Sequence, residues 1–517
     1  MFSQTFREKI AVAFFASALT AGVILGFATA RSFATGNQVA YVGGGGGGAS
    51  GATGAASTGG GGGSTAGSGG NSQTGGGSSA GSAAAAAAQT SNSQAASGVS
   101  GSTILVGGIF DMTGPVDASV ERDAVRAYFA KVNAQGGING RKIVMVYCDS
   151  QYDPTQTHSC ALQMAQQHVL ALVGSTYPKA EDNEVNFIAK PESQGGAGIP
   201  VIGGLGTPNE FKYPISFPTG PNFIDVGLTE ADRECQFAAQ GKFKHPAVVT
   251  LSDIAWVQQV VKVANARALQ ECGLQHTDEE DVSATQPDYD GTVFNLEHNG
   301  CNAGQTHGQG GACPDGLVVG VDPGSIKRLF DAMKRANWFP PVFGFGLDKG
   351  DLTAAPNDSN NFQYQYGYGL GSGPQSGGQD SGGAESLAAY ISPYDNRSNA
   401  TVSDYLNTIK AFYPSQVPNL DVYCQNAWDA AAVFVQAAKN AGANLTRASL
   451  VQALDSLSNF QTGWTQPISY TSLDSKGGHE PTRCFHWLHH DDMPEAKGGT
   501  WHTDSTPVYC QTYNIDY

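Results

Sequence analysis

From residue 104 onward the chain alternates two hydrophobic patterns. Short apolar runs rich in β-branched residues occur at 104–110, 142–147, 170–174 and 199–202, and runs of this kind suit strands buried on both faces. Between the first two, Ala124, Val125, Tyr128, Phe129 and Val132 recur at the spacing of one helix face. Turn chemistry separates the patterns: Asp111, Thr113, Gly114, Pro115 and Asp117 follow the first strand, and Gly136, Gly137 and Gly140 close the helix. Strand, crossover helix and parallel strand make a βαβ unit. Further helices are expected at 161–168 and 181–189. Phe217-Pro218-Thr219 breaks the rhythm, a helix near 223–240 follows, and a second series begins: strand 247–251, a helix through Val260 and Ala264 stopped by Gly273, strand 317–321, and helix 325–337. Two βα series with a break between them predict an α/β protein of two doubly wound, Rossmann-like lobes. Ligands of such sheets lie beyond the carboxyl ends of the strands.

Composition changes the picture before residue 103. Arg7 and Lys9 precede an uncharged, mostly apolar run at 10–30, closed by Arg31, which is the form of an export signal. Ala28-Thr29-Ala30 offers a small-x-small cleavage site, while the run also matches the ~20 residues that span a bilayer. Residues 1–31 are therefore a signal peptide or a membrane anchor. Residues 32–102 collapse to Gly, Ser, Ala and Thr and bury too little to offset their ordering entropy. As a flexible linker, the ~60 most biased residues would span roughly 40 to 45 Å. The Gly/Ser/Gln-rich stretch 369–385 reads as a surface insertion.

The formal net charge is -17 and the pI about 5.0, and no basic face is evident to neutralise phosphates, so nucleic acid is excluded as a partner. Cysteines stand at 148, 160, 235, 272, 301, 313, 424, 484 and 510. In an exported chain they point to disulfides. Sequence proximity favours Cys148 with Cys160, Cys235 with Cys272, Cys301 with Cys313 and Cys484 with Cys510, leaving Cys424 over. Their intervals match no zinc ribbon or finger.

The phrases VGGIFDMTGP, YFAKVNAQGGINGRKI, YCDSQYDP, ALVGSTY, GIPVIGGLGTPNEF, LSDIAWVQ and AWDAAAVFVQAAKNAG occur in this order. Together they resemble the type I periplasmic-binding-protein superfamily, and within it the leucine and branched-chain amino-acid-binding proteins of ABC importers. The resemblance covers nearly all of 102–517. It implies a hinged clamshell, with lobe one at about 103–220 and 349–460 and lobe two at about 221–348 and 461–517. It also implies capture of a small solute, an amino acid or related amine-bearing compound, in the interlobe cleft. No catalysis and no cofactor are expected. The implied partner is a membrane permease of an ABC importer, and the implied place is the periplasm or cell surface, anchored if the run at 10–30 is retained. A membrane-tethered sensor using the same clamshell is the alternative.

An amino acid's carboxylate is best met by hydroxyls and backbone N–H groups. Ser175, Thr176 and Thr207 follow the third and fourth strands, and the resemblance assigns the carboxylate to Ser175 or Thr176, the backbone near Leu205, and Thr207. Ser and Thr at these places also cap helices. Trp256 stands where the relatives usually carry tyrosine, giving an aromatic lid on the second lobe. By the resemblance, Gly320-Val321-Asp322-Pro323 occupies the strand end where the leucine binders carry a tyrosine, and Asp348 sits near their ammonium-binding acid or, alternatively, is an N-cap; Asp322 and Asp348 together favour an amine-bearing solute. The cluster His486-Trp487-Leu488-His489-His490, with Asp491, Asp492, His479 and His502, carries the rival readings of a metal site or a hydrolase. The bland reading is a strand running into a polar turn. There is no G-x-S-x-G elbow and no P-loop.

Overall fold

The computed structural model describes residues 97–512 except 242–243, 277, 299–312, 337, 339, 341, 348–383, 392, 394–395, 472–476, 491–500 and 504–507. The expected segment at 1–31 and residues 32–96 of the linker expected at 32–102 lie outside the described residues. So do the insertion at 369–385 and Asp348. The linker's last residues are described, and there Val99 is buried and bridges to Ile104 rather than remaining in the linker. No helix among the described residues is long and apolar enough to cross a membrane.

The fold is α/β and two-lobed, each lobe built on its own sheet. The first comprises β1 (Thr103–Phe110), β2 (Lys142–Asp149), β3 (Leu172–Val173), β4 (Val201–Ile202) and β5 (Ser216–Phe217), ordered β2-β1-β3-β4-β5 and parallel throughout. The period-2 geometry of β1 explains its double burial. Ile104 and Val106 enter the core shared with α1 (Ser119–Ala134), whereas Leu105 and Ile109 face the opposite cluster with Met164 of α2 (Pro154–Gln166) and Val185 of α3 (Glu181–Ile188). Each such side chain contributes about 2 kcal/mol by burial. The turn after α1 needs glycine at 137, where φ is +77° and a Cβ would stand 2.0 Å from the Arg141 carbonyl oxygen.

From α4 (Phe223–Ala239) the chain enters the second lobe, through β6 (Pro246–Leu251), α5 (Ala255–Cys272), β7 (Asp278–Val282), α6 (Asp290–His298), β8 (Gly316–Gly320), α7 (Pro323–Ala336) and β9 (Val342–Phe345). Val248 and Val318 face α5, while Ala247, Val249, Leu317 and Val319 face the α6–α7 side. Beyond residue 383 the chain serves both lobes. The strand β10 (Ala384–Ala388) extends the second sheet, followed by α8 (Ala400–Phe412), α9 (Val422–Asn440) and α10 (Arg447–Asp455) on the first-lobe side, where α9 packs against α1, β3 and β4. The segment expected as 349–460 of lobe one therefore divides, its strand joining the second sheet and its helices covering the first. The chain ends in β11 (Cys484–His490), β12 (Trp501–Thr503) and β13 (Tyr509–Cys510), all antiparallel additions to the second sheet.

Three expected disulfides are formed: Cys148–Cys160, Cys235–Cys272 and Cys484–Cys510. The fourth expected pair falls partly outside the described residues, because Cys301 does. Cys424 is buried and joins no disulfide.

Candidate functional site

Sheet order locates the site. In the first sheet the crossovers reverse between β1 and β3, and in the second between β6 and β8. Strand carboxyl ends at such reversals open a crevice. A continuous cavity of about 540 Å³ lies there, lined from the first lobe by Pro115, Thr176, Pro178 and Leu205 and from the second by Trp256 and Asp322. This volume falls within the range of roughly 300–1,000 Å³ usual for small-molecule pockets.

Four expected residues, Thr176, Leu205, Trp256 and Asp322, thus share one wall system. Ser175 and Thr207 do not line it. The Ser175 hydroxyl accepts the Ile109 N–H at 3.2 Å within the first sheet's end. Thr207 is fully buried and begins a short 3-10 helix, Pro208–Lys212, where its N–H donates to Glu210 Oε2 at 2.7 Å. This is the capping geometry that a Thr-x-x-Glu sequence favours.

The backbone donors expected for a solute carboxylate are already engaged. Glu181 Oε1 accepts the Leu205 N–H at 2.9 Å and Glu181 Oε2 the Tyr177 N–H at 3.0 Å, while Glu210 Oε2 takes the N–H groups of Gly206 and Thr207, each at 2.7 Å. Both carboxyls are buried, and burial is the main cause that pushes Glu181 well above the usual range and Glu210 up to about 7. Two carboxyls so close keep a proton between them, since like charges cannot both ionise cheaply in a dry site. Glycine at 204 makes room for them, with φ +110° and a would-be Cβ only 1.7 Å from Glu210 Oε1. Glu181 was legible only as the first residue of an expected helix, and Glu210 lay inside the phrase GTPNEF.

Trp256 closes the cavity from the second lobe. Its Nε1–H donates to the Pro178 carbonyl at 2.9 Å, a bond between lobes, and its ring packs 4.9 Å from Phe223, which in turn meets Phe345 at 5.0 Å. Asp322 behaves as the N-cap of α7: Oδ1 accepts from Gly324 N at 2.9 Å and Ser325 N at 3.0 Å, and the Ser325 hydroxyl bonds Oδ2. Burial raises its carboxyl above the usual range against these bonds. Asp111, in the loop after β1, is raised to about 6 by burial, with the Ser150 hydroxyl at 2.5 Å and the Tyr152 N–H at 2.8 Å opposing the shift. The lining residues include the acids Asp117, Glu121, Glu230, Glu234 and Asp322 and one lysine, Lys327, which is itself paired with Asp331 at 2.6 Å.

The histidine cluster gives no described metal centre. His486 is a β11 residue whose imidazole is lowered in pKa by burial, and His479 is buried elsewhere, stacked 4.4 Å from Phe217 with Nε2 3.3 Å from the Pro214 carbonyl. The side chains of His489, His490 and His502, and residues 491 and 492, lie outside the described residues. The metal-compatible grouping found among described residues is a different one, Glu121, Asp421 and Cys424, all buried.

Comparison with known proteins agrees with this geometry. A family model described as periplasmic binding protein matches residues 103–491. The chain is 26% identical over 272 residues to the Leu/Ile/Val-binding protein homolog 2 of Brucella abortus, a match covering 50% of this chain and 65% of that relative's length. Among solved structures, the fatty acid ABC transporter substrate-binding protein from Thermomonospora curvata aligns with TM-score 0.60 and 18% identity, covering 80% of this chain and 94% of its own. A branched-chain amino acid ABC transporter protein from Thermus thermophilus with bound valine aligns with TM-score 0.59 and 16% identity, covering 79% and 97%. At these identities the structural matches establish the fold.

Proposed function

The chain belongs to the periplasmic binding protein family, whose members bind ligands rather than transform them, and from that premise we propose that it is an extracytoplasmic solute-capturing component of an ABC importer. Its N-terminal segment, 1–31, serves export or anchoring, and 32–102 tethers the binding lobes. Lobe one takes 103–220 with the helices at 400–455, and lobe two takes 221–348 with the later strands. A permease is the implied partner. The observation that carries this reading is the cavity walled by both lobes, bridged by the Trp256 indole to Pro178. Contacts of that kind exist only in the closed form, so a solute filling the cavity shifts a hinge equilibrium toward closure.

The solute reading narrows at one end. Glu181 and Glu210 hold the backbone donors at Tyr177, Leu205, Gly206 and Thr207, which favours a solute without a carboxylate there. Asp322 and Asp117 at the cleft favour an amine-bearing compound.

A thermal-shift screen of the full chain against amino acids, amines, amides and short-chain acids identifies solutes; about 2.7 kcal/mol of stabilisation is expected at ~100-fold over the dissociation constant. For any hit, Trp256→Ala should weaken binding by about 100-fold, because a buried aromatic of the closed state is removed. Trp256→Phe, which retains a ring but loses the Pro178 bond, should weaken it by roughly fivefold to tenfold. The melting temperature without solute should change less than the affinity does, since Phe223 of the same lobe still packs at this position. Unchanged affinity in both variants would remove Trp256 from the site and the cleft reading with it.

A further inference from the structure

The cavity does not end at the cleft. Beyond Trp256 it continues into the second lobe between its sheet and the helices α4 and α5, along Val226, Val248, Val260, Val261, Ala264 and Val318. The stripe on α4 then changes character: Val226, Glu230 and Glu234 follow one another at four-residue spacing, so one helix face carries the channel from apolar wall to two carboxyls. Glu234 is fully buried. Its Oε2 pairs with His276 Nε2 at 2.8 Å, its Oε1 has no hydrogen-bond partner, and the residue is among those that line the cavity. A buried polar atom left unmatched is costly and calls for a partner.

We infer that this channel is a second compartment of the solute site, which takes the elongated apolar body of the solute and meets an uncharged hydrogen-bonding tip, such as a hydroxyl, at Glu234. The inference rests on the cleft reading proposed above and deepens it. An apolar wall of valines suits an alkyl or alicyclic body. A charged tip would be buried far from water, at a cost that a hydroxyl avoids. A hydroxyl both donates and accepts. Here it donates to Glu234 Oε1 and accepts from the carboxyl of Glu230, which burial, reinforced by Glu234, pushes up to about 8 and so holds protonated at neutral pH. The other side of Glu230 is held by the backbone of Phe345, which orients the carboxyl toward the channel.

The test uses two isomers with equal numbers of non-hydrogen atoms, hexan-1-ol and methyl pentyl ether, titrated calorimetrically into the full chain. The ether cannot donate. In the unsubstituted protein hexan-1-ol should bind at least tenfold more tightly than the ether. In Glu234→Leu, which removes the acceptor at similar volume, the ratio should fall to about twofold or less. Val261→Phe should abolish binding of both by filling the channel; its melting curve reports whether it folds, and Glu234→Leu decides the matter if it does not. Equal binding of the isomers to the unsubstituted protein, or a preference for hexan-1-ol that survives Glu234→Leu, overturns the channel. If solutes from the broader screen still bind in a Trp256-dependent manner, only the channel falls; if Trp256 substitution affects none of them, the cleft reading falls as well.

Discussion

Gly204→Ala should destabilise the folded chain by about 3 kcal/mol or more, measured as a fall in the urea midpoint at constant slope. Two causes add. The backbone sits at φ +110°, where an L side chain is strained, and the new Cβ would stand 1.7 Å from Glu210 Oε1 and 2.9 Å from Glu181 Oε1. Those carboxyls cannot retreat without releasing the N–H groups of Tyr177, Leu205, Gly206 and Thr207, and each buried donor left alone costs ~1–3 kcal/mol. Gly136→Ala separates the causes. Gly136 has φ +105° but nothing within 4 Å of its would-be Cβ, so it should show the backbone strain alone, roughly 1–2 kcal/mol. Equal losses in the two variants would mean that the carboxyl pair does not constrain position 204.

The second large effect is a stability that declines as pH rises. Burial pushes Glu210 up to about 7 and Glu230 and Asp429 up to about 8, from ordinary values near 4. A group whose folded value is raised binds its proton more tightly in the folded chain than in the unfolded one. Its contribution is complete below the unfolded value and is lost as pH rises through the folded value. With about 1.4 kcal/mol for each unit, the protein should be several kcal/mol more stable at about pH 5.5 than at about pH 8.5, by urea unfolding. Asp429→Asn should make that slope shallower while keeping an acceptor for the Trp464 indole, which now donates to Asp429 Oδ1 at 2.9 Å. A stability that is level or rising across this range would show that these carboxyls ionise freely in the folded state.

What the chain disclosed beforehand followed physical lines. Both βα series were legible because a strand buried on two faces must be largely apolar, as β1, β6 and β8 are. The strand β7, Asp-Glu-Glu-Asp-Val, gave no such signal, since it lies at the sheet's edge and its first four side chains are only half-buried or exposed; the backbone ladder to β6 alone makes it a strand. For α2 the apolar positions suggested 161–168, whereas the helix runs Pro154–Gln166. Its start is set by Asp153, whose side chain accepts the Gln156 N–H, and by proline in the first turn. Capping chemistry of that kind marked the true beginning more clearly than hydrophobicity did.

The candidate site was legible on its rim and not at its floor. Thr176, Leu205, Trp256 and Asp322 each follow a strand end, a place that topology specifies. Glu181 and Glu210 are 29 positions apart in the chain, and nothing local announces that two acids will meet behind the cleft and share its donors. Glu234 was hidden for the same reason: on a helix pattern it reads as a solvated charge, and only packing against the second sheet turns it inward.

The placement of the disulfides has a mechanical meaning. Cys148–Cys160 ties β2 to α2, Cys235–Cys272 ties α4 to α5, and Cys484–Cys510 ties β11 to β13. None of these three crosses from one sheet's side to the other. Each restricts the unfolded chain of a single half, by about 2–4 kcal/mol in the usual range, and leaves the relative rotation of the halves without a covalent brake. Disulfides are favoured outside the cytoplasm, and these three stiffen each half separately rather than one against the other.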